Sequence, residues 1–113
     1  MSEAAAATGL TPCLSDERLT RRACGGDERA FAAIFRRYHQ PLYRFCLAIL
    51  GNPDDTQDAL QNTMMKVLRA LPGEERRIEL KPWLYRIAHN EAIDLLRRRR
   101  ETRQLDAEEM APG

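Results

Sequence analysis

Apolar residues recur at three- and four-residue steps along three stretches of the chain, and turn-forming residues separate them. In the longest stretch Phe31, Ile34, Phe35, Tyr38, Leu42, Phe45, Cys46 and Ile49 line one side of a helix. Asp27 stands where an N-cap is needed, and Gly51-Asn52-Pro53 closes the helix after Leu50. Pro41 lies inside and is expected to kink this helix or to split it after His39. The next pattern, Leu60, Met64, Val67, Leu68 and Leu71, follows a start at Pro53 or Asp54, where proline and acids suit a first turn. Leu71-Pro72-Gly73 ends it. The last helix opens near Leu80 with Pro82 in its first turn, sets Leu84, Ile87, Ala88 and Leu95 on one side, and runs into Arg97–Arg100. A short leading helix over 16–23, capped by Ser15 or Asp16 and stopped by Gly25-Gly26, precedes these three.

The expected fold is therefore all-α, a compact bundle of three main helices plus a short N-terminal one. Residues 1–15 read as a disordered leader, 16–103 as the helical domain, and 104–113 as an acidic tail or the start of a linker. The polar stretch 74–79 lacks alternation and is too charged for a strand. Trp83 is expected half-buried at a helix start, Tyr85 on the flank of the core, and Glu91 at its rim, paired with an arginine.

A length of 113 residues fits one domain, and 43% hydrophobic with 31% charged residues gives a real but small core. Only 6% aromatics, with 6 Gly and 6 Pro, argue against a turn-rich β-sandwich. No run approaches the roughly 18 apolar residues of a membrane span. The first residues carry neither a basic n-region nor an apolar h-region, so a cytoplasmic, soluble domain is expected. Cys13, Cys24 and Cys46 are too few and too scattered for a disulfide framework or a zinc motif, and are read as free thiols. His39 and His89 are isolated, no nucleophile–base constellation exists, and neither enzyme activity nor a cofactor is expected.

Net charge hides the distribution that matters. The 18 Lys+Arg nearly balance the 17 Asp+Glu, yet Arg97, Arg98, Arg99, Arg100 and Arg103 crowd around the single acid Glu101. Asp54, Asp55 and Asp58 cluster without a base among them. Such a dipolar chain suits one polyanionic and one basic partner. On the outward side of the third helix Asp55, Asp58, Asn62, Met65 and Arg69 follow helical steps beside Gln61. This stripe is either a solubilising face or a docking surface on which Met65 supplies adaptable apolar contact. Asp-Asp-x-x-Asp at 54–58 has the spacing of a Mg²⁺–diphosphate motif, but a single such motif in so small a chain cannot enclose a substrate. On the fourth helix Arg86, Asn90 and Arg97 lie opposite the apolar side, with Asp94 flanking the row. Arginine and asparagine on a solvent face can hold phosphates and read base edges. The arginines that follow wrap around the helix, more positive charge than its dipole requires.

The order of these pieces resembles region 2 of bacterial sigma factors of the extracytoplasmic-function group. Residues 26–31 (Gly-Asp-Glu-Arg-Ala-Phe), with Tyr38 and Pro41-Leu42-Tyr43-Arg44, look like its opening. Residues 55–67 look like its core-polymerase-binding helix, and 83–98 are similar to its promoter-melting and recognition helix. The resemblance implies that Asp55, Asp58, Gln61, Asn62 and Met65 dock on the clamp helices of the β′ subunit of core RNA polymerase. It implies that the loop 72–81 and the outward face of the fourth helix bind the non-template strand of the minus-ten promoter element as single-stranded DNA. Asn90 matches a position of the family's pocket for an unstacked base, while Arg86, Arg97, Arg98 and Arg100, beside Asp94, complete the DNA-contacting set. Asn62 replaces the family's usual carboxylate, Gln57 removes another acid, and Met64-Met65 replaces a Phe-led pair. The loop sets Glu74, Glu75 and Glu79 against Arg76 and Arg77. The chain stops where the family's linker to a helix-turn-helix domain begins, so a domain or fragment of a longer protein is expected. The competing expectation is a helical interaction module held by an anti-sigma regulator, without DNA selectivity of its own.

Overall fold

The computed structural model describes residues 14–110. Residues 1–13 of the leader expected over 1–15, Cys13 among them, and the terminal residues 111–113 lie outside them. Four helices follow in order: α1 (Asp16–Cys24), α2 (Glu28–Leu50), α3 (Pro53–Ala70) and α4 (Leu80–Met110). The starts of α1, α2 and α3 are each fixed by a side chain that accepts a hydrogen bond from a free backbone N–H of the first turn. Ser15 Oγ accepts from Arg18 N, Asp27 Oδ1 from Arg29 N, and Asn52 Oδ1 from Asp55 N, at 3.2, 3.0 and 3.0 Å. Gly51 closes α2 in the left-handed region at φ 68°, donating to the Leu47 carbonyl at 2.7 Å, so Asn52 and Pro53 can open α3 at once.

α2 is the central strut, packed against α1, α3 and α4, and α3 also packs along α4. Leu19, Ile34, Leu42, Val67, Leu71 and Leu84 are fully buried where the helices meet. Burial of each such side chain contributes about 2 kcal/mol. The buried threonines remain satisfied within their helices: Thr56 Oγ1 donates to the Asn52 carbonyl and Thr63 Oγ1 to that of Ala59, both at 2.7 Å. Tyr38 Oη donates to the Asp16 carboxylate, which Arg37 also contacts at 2.8 Å, tying the start of α1 to α2. Burial first, and then the Asp16 carboxylate, push the Tyr38 hydroxyl above its ordinary range.

Three features depart from the sequence reading. α2 runs unbroken through Pro41. Proline removes only one intrahelical hydrogen bond, and Ile34 and Tyr38 before it bury on the same side as Leu42 and Cys46 after it. α4 continues to Met110 instead of fraying after Arg103, because Gln104, Leu105 and Asp106 bring no glycine or proline to stop it. From Arg97 to Asp106 it is exposed. The 31-residue helix is roughly 46 Å long, and the protein measures 71 Å along its longest axis. Glu91 is buried, with 6% of its surface exposed, and not at the rim. No helix among the described residues is long and apolar enough to cross a membrane.

The loop between α3 and α4 is held by Gly73, at φ 80°, whose N–H donates to the Cys24 carbonyl at 2.8 Å. Cys24 and Cys46 are free thiols. Burial raises Cys46 to about 11, and burial with the nearby Glu74 carboxylate raises Cys24. Iodoacetamide at neutral pH is therefore expected to leave Cys46 unmodified in the folded protein and to label it on denaturation, as peptide mass spectrometry would read out. Rapid native labelling of Cys46 would contradict its burial.

Candidate functional site

The outward stripe expected on α3 is divided among its neighbours. Asp58 and Arg69 face solvent. Gln57, Gln61, Met65 and Leu68 border α2, whereas Asn62 and Lys66 face α4 and Asp55 pairs with it. Steps of about 100° per residue carry the stripe a third of the way round the helix, so its two edges meet different partners.

Between α2 and α3 lies an open groove of about 560 Å³. Phe31, Leu60 and Met64 form its apolar interior, and Gln57 and Gln61 sit on one wall with Arg36 on the other. Phe35, Met65 and Leu68 stand at its mouth with 37, 45 and 51% of their surface exposed. Periodicity assigned Phe35 and Leu68 to the core; they lie instead at the open edges of two apolar stripes that face each other without closing. His39 lies against Phe35 with ring centroids 5.0 Å apart. Such a groove, apolar within and polar at the rim, has the anatomy of a protein-docking surface.

Between α3 and α4 lies a polar cleft of about 500 Å³, bordered by Asn62, Lys66, Glu91, Asp94, Arg97 and Arg98. Lys66 Nζ donates to the Glu91 carboxylate at its base. Glu91 thus pairs with a lysine of the neighbouring helix and not with an arginine. Asn62, expected with the docking set, shares this cleft with three residues of the expected DNA set. Farther along, Arg99 Nε donates to Asp55 Oδ1 at 3.1 Å, and its Nη2 lies 3.0 Å from the same oxygen and 4.0 Å from Asp58 Oδ2. Asp55 keeps only 15% of its side chain exposed.

A third recess, about 360 Å³, opens where the loop meets α4 and is walled by Arg76, Arg77, Ile78, Pro82, Trp83 and Arg86. Arg76 donates to Glu74 through its guanidinium at 2.8 Å and its backbone N–H at 3.1 Å, which holds the Glu74 carboxyl down to about 2. That acid is thereby committed within the loop, and Arg77 and Arg86 remain exposed. Trp83 is half-buried, as expected, yet also lines the recess; Tyr85 packs edge-to-face on Phe45 at 5.1 Å. One turn beyond Arg86, Asn90 is exposed, and Asp94, Arg97, Arg98 and Arg100 continue outward along α4. Among the described residues no three His, Cys, Asp or Glu side chains converge on a metal site.

The family model for Sigma-70 region 2 matches residues 34–102. The chain is 34% identical over 83 residues to the ECF RNA polymerase sigma factor SigW of Bacillus subtilis, covering 74% of this chain and 44% of that one. It is 34% identical over 84 residues to the ECF RNA polymerase sigma factor SigM of Mycobacterium tuberculosis, covering 74% and 43%. It is 35% identical over 77 residues to the ECF RNA polymerase sigma factor SigX of B. subtilis, covering 68% and 40%. The chain thus spans less than half the length of these relatives. No solved structure matches it.

Proposed function

Because the chain belongs to the sigma-70 region 2 family, in its extracytoplasmic-function branch, we propose that it is a non-enzymatic module of transcription initiation in the cytoplasm, joining core RNA polymerase to promoter DNA. One observation carries this reading. Adjacent helices hold two surfaces of different chemistry, an apolar groove with the amides Gln57 and Gln61 on its α3 wall and an arginine-walled recess at the start of α4.

The α3 surface takes the basic clamp helices of the β′ subunit. Asp58 supplies charge, Gln61 hydrogen bonds, and Met65 an adaptable apolar contact, with Phe35 and Leu68 extending that contact across the groove mouth. Asp55 and Asn62 form the far edge of the surface, towards α4. The α4 surface takes the non-template strand of the minus-ten element. Its backbone runs along Arg86, Arg97, Arg98 and Arg100, and one unstacked base enters the recess under Trp83 and the loop. Asn90, next along the row, offers a donor and an acceptor to a base edge, and Asp94 orients the row by its charge. An anti-sigma regulator that covers the α2–α3 groove would displace polymerase, so the competing interaction-module reading differs in its DNA behaviour alone.

Fluorescence anisotropy with core polymerase and with a minus-ten single strand separates the two readings. The chain is expected to bind both, and Asn90→Ala to weaken the strand by about tenfold, the loss of one base-specific contact worth 1–3 kcal/mol. Core binding should not change. Equal affinity of the wild type for minus-ten and scrambled strands would favour the pure interaction module, and equal loss of core and DNA binding in the variant would mean misfolding.

A further inference from the structure

Of the five arginines between 97 and 103, Arg99 alone pairs with an acid of another helix among the described residues. Both of its bonded nitrogens, Nε and Nη2, converge on one oxygen of Asp55, and Nη2 also lies within reach of Asp58. A guanidinium edge that is engaged by a carboxylate oxygen, with Nε donating to it and Nη2 beside it, is not free to donate to a phosphate oxygen, the other anion that arginine pairs with. The Asp55 carboxylate therefore occupies a phosphate position on the α4 arginine surface. Asp55 and Asp58 also sit on the face that the proposed function gives to a basic partner, so a single side chain joins the two surfaces. Arg99 keeps 48% of its side chain exposed, so solvent and ligands reach it beside this pair.

We propose that Asp55 masks Arg99 as an intramolecular phosphate mimic, and that cations engaging Asp55 and Asp58 release Arg99 to the DNA backbone. Binding of the basic partner and binding of the nucleic acid are then positively coupled through one ion-pair exchange, and by linkage each favours the other equally. The coupling is modest, because a partly exposed pair exchanged for another changes affinity by about two- to five-fold. The masking step uses only the free chain; the release step rests on the proposed polymerase docking.

The masking step is tested with an unstructured single-stranded DNA oligonucleotide, titrated over a salt series against the wild type, Asp55→Asn, Asp54→Asn, Arg99→Gln and Asp55→Asn/Arg99→Gln. Asp55→Asn is expected to tighten binding about two- to five-fold and to steepen the salt slope by about 0.7, one further phosphate contact on a single strand. The double variant should show no such gain. Asp54→Asn removes the same charge from an exposed neighbour without touching Arg99, and should leave the slope as it is. An equal gain from Asp54→Asn, or a gain that persists in the double variant, would show a general charge effect and overturn the mask. Equal slopes for all five proteins would overturn the mask alone. No binding by any of them at low salt would overturn the DNA-binding reading together with it. For the release step, Arg99→Gln should tighten core-polymerase binding about two-fold, since no guanidinium then has to be displaced. Weaker core binding in that variant would overturn release, whereas a wild type that does not bind core at all would overturn the docking reading.

Discussion

Asp58→Arg is expected to abolish saturable binding to core polymerase while leaving the helical fold intact. The side chain is 58% exposed, and among the described residues its one oppositely charged partner is Arg99 at 4.0 Å. It lies in the second turn of α3, between the apolar groove on the α2 side and the polar cleft on the α4 side. An arginine there turns an attraction for a basic partner into a repulsion at the centre of the docking face, and a like-charge pairing in an interface costs several kcal/mol. That is a loss of at least about a hundredfold in affinity. It also sets a second guanidinium beside Arg99, which adds to the local positive field without burying anything. The effect on the fold is limited to the loss of the long, exposed ion pair of Asp58 with Arg99, about 0.5 kcal/mol. Circular dichroism and the melting temperature should therefore match the wild type within a few degrees. Titration against core polymerase at two salt concentrations reads the loss. A folded Asp58→Arg with unchanged affinity would sink the docking face on α3.

The helices were legible because each is encoded twice, once by apolar period and once by its ends. Asp27, Gly51 and Asn52-Pro53 act where their residue types require, and Leu42, Val67 and Leu84 are buried as the period demands. Of the two outcomes expected at Pro41, the split does not occur: packing on both sides of it outweighs one missing hydrogen bond. The outward direction of Asp58, Arg86 and Asn90 also followed from angular steps along a single helix. What a helical wheel cannot supply is the identity of the neighbour at each edge of a face. The stripe from Asp55 to Arg69 looked like one surface, but the approach of α2 on one side and α4 on the other made it three. Phe35 and Leu68 counted as core for the same reason, since each belongs to an apolar stripe and only the angle between α2 and α3 leaves them open. Arg99 and Asp55 are 44 residues apart, and Lys66 and Glu91 25 apart, so nothing local links either pair.

Lys66→Met is expected to destabilise the protein by about 2 kcal/mol, lowering its melting temperature by roughly 10 °C. Glu91 keeps only 7% of its side chain exposed, on the part of α4 where Ala88, Ala92 and Leu95 are also buried, and Lys66 is its one polar partner among the described residues. Removing a partner from a fully buried pair costs 3–5 kcal/mol because the remaining charge is stranded. Here the cost is smaller, since Lys66 is 55% exposed and the polar cleft admits water to the pair. Replacing both partners, in Lys66→Met/Glu91→Met, removes the stranded charge and fills the space with apolar side chains, so most of the stability should return. Thermal denaturation of the two variants beside the wild type decides it. A single variant that melts with the wild type would mean that Glu91 is solvated without Lys66, and a double variant less stable than the single one would mean that the pair itself is net stabilising. Lys66 follows Met65 on the docking helix and Glu91 follows Asn90 on the recognition helix. The pair therefore sets how the two proposed surfaces stand relative to one another, and its loss should weaken polymerase and DNA binding together, unlike Asp58→Arg or Asn90→Ala, which each strike one.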